Sequence, residues 1–128
     1  MSTQAYIYDD SLIADAAISQ YRIVIAGTTT GHVKLPTQDA AAIIGVTQHS
    51  TAASGDTVLV RRAGITKVQV SAAVTRGVPL RAWDALGYAN GQTAAWLSGD
   101  GVLGYAEETS AASGDIIECW LAIRQLLA

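Results

Sequence analysis

The pentapeptide Ala-Ala-Ser-Gly-Asp occurs at Ala52–Asp56 and again at Ala111–Asp115. Two aspartates in identical settings could work as a paired carboxylate, one charged and one protonated, if a pseudo-twofold axis brought them together. Enzymes of that kind carry Asp ahead of Thr or Ser and then Gly, and here the order is reversed. Gly tolerates positive φ, and Ser and Asp cap nearby backbone N–H groups, so Ser-Gly-Asp reads as a tight turn that launches a strand. Gly27-Thr28-Thr29-Thr30-Gly31-His32 has three residues between its glycines and His in place of Lys. A phosphate-binding loop needs four, then Lys and Ser or Thr, so this stretch reads as a hairpin turn.

His32 and His49 are the only histidines, too few for a three-histidine zinc site. A mixed site with Asp39 would need an unsupported coincidence of loops, and both histidines are expected on exposed turns. His49-Ser50 lacks the Gly-x-Ser-x-Gly elbow of a nucleophilic serine. The single cysteine, Cys119, lies in the alternating run Ile117, Cys119, Leu121, Ile123 and reads as a buried, inert thiol. No catalytic, cofactor-binding or metal-binding residue is assigned, and the chain is expected not to be an enzyme.

The elements that would position any site are β-strands. The 128 residues suit one domain, able to bury about two thirds of its unfolded surface. Half the residues are apolar, Phe is absent and only 15% are charged, so Ile, Val, Leu and Ala must fill the interior. Shifted so that Ala52 falls on Ala111, the chain matches itself: Gly45 falls on Gly104, Ile43-Ile44 on Val102-Leu103 and, without a gap, Arg22 on Arg81. Two copies of a strand-loop-strand unit, about 21–69 and 80–128, follow from this. Strands are expected at 21–25, 42–47, 57–62, 64–70, 101–107 and 116–123, with turns at Gly27, Gly31, Gly55, Gly64, Gly77, Asn90-Gly91 and Gly99. Short helical turns are expected only at 10–19 and 36–41. The predicted fold is all-β: a compact β-barrel or sandwich over 21–128, a single domain preceded by an extended N-terminal segment over 1–20.

That segment carries Asp9, Asp10 and Asp15 and no Lys or Arg, which accounts for the whole net charge of −3. The balanced remainder offers no basic face for nucleic acid. No run approaches the roughly 18 apolar residues of a membrane span, and the N-terminus carries no signal peptide pattern, so synthesis in the cytoplasm is expected. Tyr6, Ile7, Tyr8, Asp9 and Asp10 read either as an extended arm that pairs with a partner or as an ordered edge strand of the domain. Trp83 and Trp96 are candidate interface anchors, because Trp is enriched at hot spots. With Tyr88 they could instead form a sugar-stacking face of a host-binding module. A small β-barrel hydrolase using Asp56 and Asp115 is the third reading.

The run 41–60, with Ile-Ile-Gly-Val-Thr-Gln and then Ala-Ala-Ser-Gly-Asp-Thr-Val-Leu-Val, resembles the capsid decoration or cement proteins of tailed bacteriophages. So do Val74-Thr75-Arg76-Gly77-Val78-Pro79-Leu80, Gly101-Val102-Leu103-Gly104-Tyr105-Ala106 and Ala112-Ser113-Gly114-Asp115. The resemblance covers about Tyr21 to the C-terminus. Thr75-Arg76-Gly77-Val78 departs from the family's usual Thr-x-Gly-Asp. The resemblance implies a small, non-enzymatic, β-rich protein, often a homotrimer, that binds the outer surface of the virion shell between capsomers. The implied partners are the major capsid protein and other copies of the chain, without nucleic acid, membrane or cofactor. Under it, the segment from Ser2 to Asp15 and Arg61, Arg62, Arg76 and Arg81 become candidate contacts.

Overall fold

The computed structural model describes residues 7–37, 40, 42–91 and 100–125. These residues form ten strands: β1 Tyr8–Ala14, β2 Ile23–Ala26, β3 His32–Lys34, β4 Ile43–Thr47, β5 Thr57–Ala63, β6 Ile65–Gln69, β7 Pro79–Ala82, β8 Ala89–Gly91, β9 Gly101–Ala106 and β10 Ile116–Gln125. Period-two alternation sets their faces. In β5, Val58 and Val60 are fully buried while Thr57 is exposed; in β10, Ile117, Cys119 and Leu121 point inward and Ile116, Glu118 and Trp120 outward. No helix forms at 10–19: the strand runs to Ala14, and an isolated bridge joins Ile18 to Thr51.

The first five strands close a barrel in the order β1-β3-β2-β4-β5, and the second five form a sheet in the order β6-β10-β9-β7-β8. Their registers correspond pair by pair. Val24 opposite Gly45 becomes Leu80 opposite Gly104, Ala26 opposite Val33 becomes Ala82 opposite Ala89, and Ser11 opposite Leu59 becomes Lys67 opposite Glu118. Strands β1 to β3 thus recur at one offset, that of Val24 from Leu80, whereas β4 and β5 recur at the longer offset of Gly45 from Gly104. The gapless superposition of Arg22 on Arg81 fails for this reason: Arg22 corresponds to Val78, and Arg81 to Ile25. The repeated unit also starts earlier than Tyr21, since β1 corresponds to β6. Of the two readings of the N-terminal segment, the structure has the strand: β1 lies between β5 and β3 in the barrel wall.

The two halves differ at one seam. In the barrel, Ile13 N–H donates to Gly31 O and Asp15 N–H to Val33 O, both at 2.9 Å. In the second half, the counterpart of the latter survives as Ser71 N–H to Ala89 O at 2.9 Å. The counterpart of the former is split open: Gln69 N–H donates to Tyr21 O (3.0 Å) and Ile23 N–H donates to Gly87 O (2.8 Å). The backbone of Tyr21–Ile23, from the first half, is therefore wedged between the lips of the second. Tyr21 has φ 60, unusual for a residue with a side chain, and its counterpart Gly77 has φ 90.

Burial follows the wedge. Ala14, Ile18, Val24, Val33, Val58 and Val60 fill the barrel interior. Their counterparts in the second half form one larger cluster, which also takes in Ile23, Ile43 and Val46 of the first. The outer face of β2 and β4 thus roofs the second half. Each fully buried Val or Ile stabilises by roughly 1.5–3 kcal/mol relative to exposure, so the contact is a major part of the core. At Gly87, φ is +82 and an added Cβ would meet Ile23 O at 2.8 Å and Arg22 Cβ at 2.9 Å; at Gly55, φ is +94 but the space is open. Gly55→Ala is expected to lower stability by about 1–2 kcal/mol, the cost of a left-handed side-chain residue. Gly87→Ala should cost clearly more in the same urea titration, because it also pushes the halves apart.

Candidate functional site

The repeated aspartates hold their own turns. Asp56 Oδ2 accepts the N–H groups of Ala52 and Ala53, and Asp115 Oδ2 those of Ala111 and Ala112, all at 3.1 Å. Gly55 and Gly114 turn the chain at φ 94 and 90. This is the capping geometry that Ser-Gly-Asp implies, made twice, and it uses the carboxylate oxygens that acid–base chemistry would need. Cys119 is fully buried, and its thiol is pushed up to about 12, chiefly by burial and secondarily by the negative charge of Glu107.

The histidines divide. His49 is exposed, and its Nε2 accepts the N–H of Leu59 at 3.1 Å; Glu108 Oε1 accepts the N–H of Glu118 in the equivalent place, at 2.7 Å. His32 is half-buried at the start of β3 rather than on an exposed turn, with Nδ1 2.6 Å from Asp15 Oδ1. Asp39 lies outside the described residues, and among those described no three His, Cys, Asp or Glu side chains gather into a metal site.

The candidate partner residues are mostly engaged within the chain. Asp9 and Arg61 face each other across β1 and β5 in a two-pronged pair: Nε to Oδ1 at 2.8 Å and Nη2 to Oδ2 at 3.1 Å. Arg61 Nη1 also donates to Ile65 O at 3.1 Å, and the hydrogen bond to Asp9 raises the guanidinium's pKa further. Arg62 Nη1 lies 3.2 Å from Asp10 Oδ2 at the mouth of the barrel. These four residues fasten β1 in place. Arg76, the most exposed at 72%, donates from Nε to Glu107 O at 3.0 Å. Arg81 stacks over Trp83 at 4.9 Å from the ring centre. Arg22, which sequence reasoning passed over, stacks over Tyr88 at 4.3 Å and donates to Gln69 Oε1 and Leu86 O, clamping both lips of the seam. Trp83 and Tyr88 are thus half-buried, each with a guanidinium over its ring. Ile7 and Tyr8 are exposed; Tyr6 and Trp96 lie outside the described residues.

The surface that sequence reasoning missed is a row across four strands of the second sheet. Ile65 on β6 stands opposite Trp120 on β10, Trp120 opposite Tyr105 on β9, and Tyr105 opposite Pro79 on β7. Trp120 is 58% exposed, the most open large apolar side chain among the described residues. It lines a shallow depression with Tyr105, Ala106, Gly77, Arg76 and Glu107. The alternation that places Cys119 inward places Trp120 outward, which was the available signal.

Two expectations follow. In a double-mutant cycle, Asp9→Asn and Arg61→Gln should couple by about 1–2 kcal/mol, as a partly buried, two-pronged charged pair does. The more exposed Asp10 and Arg62 should couple by about 0.5 kcal/mol or less. Native Cys119 should stay unmodified by a thiol-specific alkylator at pH 8 and react stoichiometrically in urea, because the thiolate that attacks is suppressed by burial.

The sequence matches the phage cement protein family over residues 2–121. None of the curated proteins compared with it is similar. Among solved structures, the fold is similar to the N-terminal base of the head fibre protein gp8.5 of bacteriophage phi29, with a TM-score of 0.71 at 16% identity, over 96% of this chain and 99% of that one. With a family match that takes in both halves, the wedge between them and the row on the second sheet, the chain belongs to the phage cement protein family.

Proposed function

We propose that this chain is a structural decoration protein of a phage head: it sits on the outer surface of the shell between capsomers and holds neighbouring major capsid subunits together. The family match over residues 2–121 carries this reading. The body supports it. The outer face of the barrel and the second sheet share one core, the charges of β1 are paired locally, and a net charge of only −3 keeps repulsion between crowded copies small. Each copy adds a modest contact, and many together resist rupture through avidity. Association as a homotrimer lets one assembly meet several subunits at a junction. Catalysis has no part in this reading, since Asp56, Asp115 and Cys119 are each accounted for structurally.

Within this reading Asp9, Asp10, Arg61 and Arg62 act indirectly, by fixing the strand that leads to Tyr6, Ile7 and Tyr8. Arg76 and the exposed ends of Ile7 and Tyr8 are the direct contacts. A deletion of residues 2–15 would remove β1 and open the barrel, so its effect on binding would report unfolding. Removing residues 2–6 leaves every strand among the described residues in place.

Shells of the matching capsid that lack this protein provide the test. Co-sedimentation should saturate at a fixed number of copies per shell, and decorated shells should survive heating that ruptures bare ones. Truncation of residues 2–6 should weaken the binding. A chain that leaves the shells unbound and no more heat-resistant would overturn the proposal.

A further inference from the structure

The repeat gives the row Ile65, Trp120, Tyr105, Pro79 a counterpart in the first half, and the counterpart is an interface. Asp9, Arg61, Val46 and Ile23 occupy the equivalent places, joined by the same cross-strand pairings. Val46 and Ile23 are fully buried, packed into the core of the second half. The same row of the same five-strand unit is thus roofed at Ile23 and Val46 in the first copy, whereas in the second Pro79 and Tyr105 are half-exposed beside the open Trp120.

The substitutions between the two rows run opposite to what solvent exposure selects. The covered row keeps an ion pair, Asp9 with Arg61; the open row puts Ile65 and Trp120 in those places. An exposed tryptophan flanked by apolar neighbours in direct register marks a surface that is buried elsewhere. One border carries both signs, Lys67 opposite Glu118 and then Glu107 beside Arg76, two bases against two acids, and therefore meets an identical border without net repulsion; Arg81 on the other border is stacked on Trp83. Four strands about 4.8 Å apart make it roughly 14 Å wide, the size of an interface centre rather than a whole interface. Pro79 has no N–H, so the backbone wedge of Ile23 onto Gly87 cannot recur there. The contact must be made side chain to side chain.

We infer that this row is where copies of the chain associate, with Trp120 as the central anchor of a contact to a second copy. The inference concerns self-association and does not depend on shell binding. The full-length protein and two variants, Trp120→Glu and Leu86→Glu, would be compared by sedimentation equilibrium, with far-UV circular dichroism and melting temperature as checks on the fold. Leu86 is 55% exposed but lies off the row. Wild type and Leu86→Glu are expected at a multiple of 13.3 kDa. Trp120→Glu, with unchanged spectrum and melting temperature, is expected to dissociate about 30-fold more readily or more, as on loss of an interface hot spot. Should Trp120→Glu melt early, Trp120→Gln would replace it under the same criteria. A monomeric wild type, or a folded Trp120 variant that associates normally, overturns the inference. Shell binding measured in parallel keeps the two proposals apart: a variant that still self-associates but no longer binds shells assigns the row to the shell, and so also overturns it.

Discussion

Backbone hydrogen bonds left over at a barrel seam govern this molecule. A closed five-stranded barrel satisfies its own seam, as Ile13 and Gly31 do in the first half. The second half leaves the N–H of Gln69 and the carbonyl of Gly87 without each other, and buried groups of this kind are costly unless met. Tyr21 and Ile23 meet them. The Arg22 side chain between them bonds to Gln69 on one lip and Leu86 on the other, and stacks on Tyr88. The large shared core exists because this wedge lays the outer face of β2 and β4 over the open interior.

The all-β character and most strand positions were legible from alternation and glycine punctuation. Val58 and Val60, or Ile117 and Cys119, can face inward together only if the chain is extended. The Ser-Gly-Asp turns were legible to the level of the cap, because that chemistry is local. What could not be read was the non-local seam. Apolar spacing does not say which strand closes a barrel, so β1 read as readily as an arm. The change of offset falls between β3 and β4 of one half and β8 and β9 of the other, and it defeated the gapless comparison that set Arg22 on Arg81. The exposure of Trp120 was not legible for a related reason: exposure within a strand depends on which face of the sheet is roofed.

The charged residues illustrate how position in the fold overrides composition. An acidic first segment and scattered arginines suggest a surface prepared for partners. In the folded chain, Asp9 and Asp10 answer Arg61 and Arg62 across adjacent strands, so the acids of the first segment serve to hold β1. The row Ile65, Trp120, Tyr105, Pro79 is apolar and aromatic, with Lys67, Glu118, Glu107 and Arg76 along one border.

The wedge also gives the chain a direction in time. The last strand of the closed barrel ends at Ala63, so that half can complete its hydrogen bonding while the remainder is still being synthesised. The second half has no such independence, because the groups that fill its seam belong to residues made well before it, as the Gln69 to Tyr21 bond records. The second half thus depends on groups that the first half carries, and a chain ending after β5 would leave Ile23 and Val46 without the cover that the second sheet gives them.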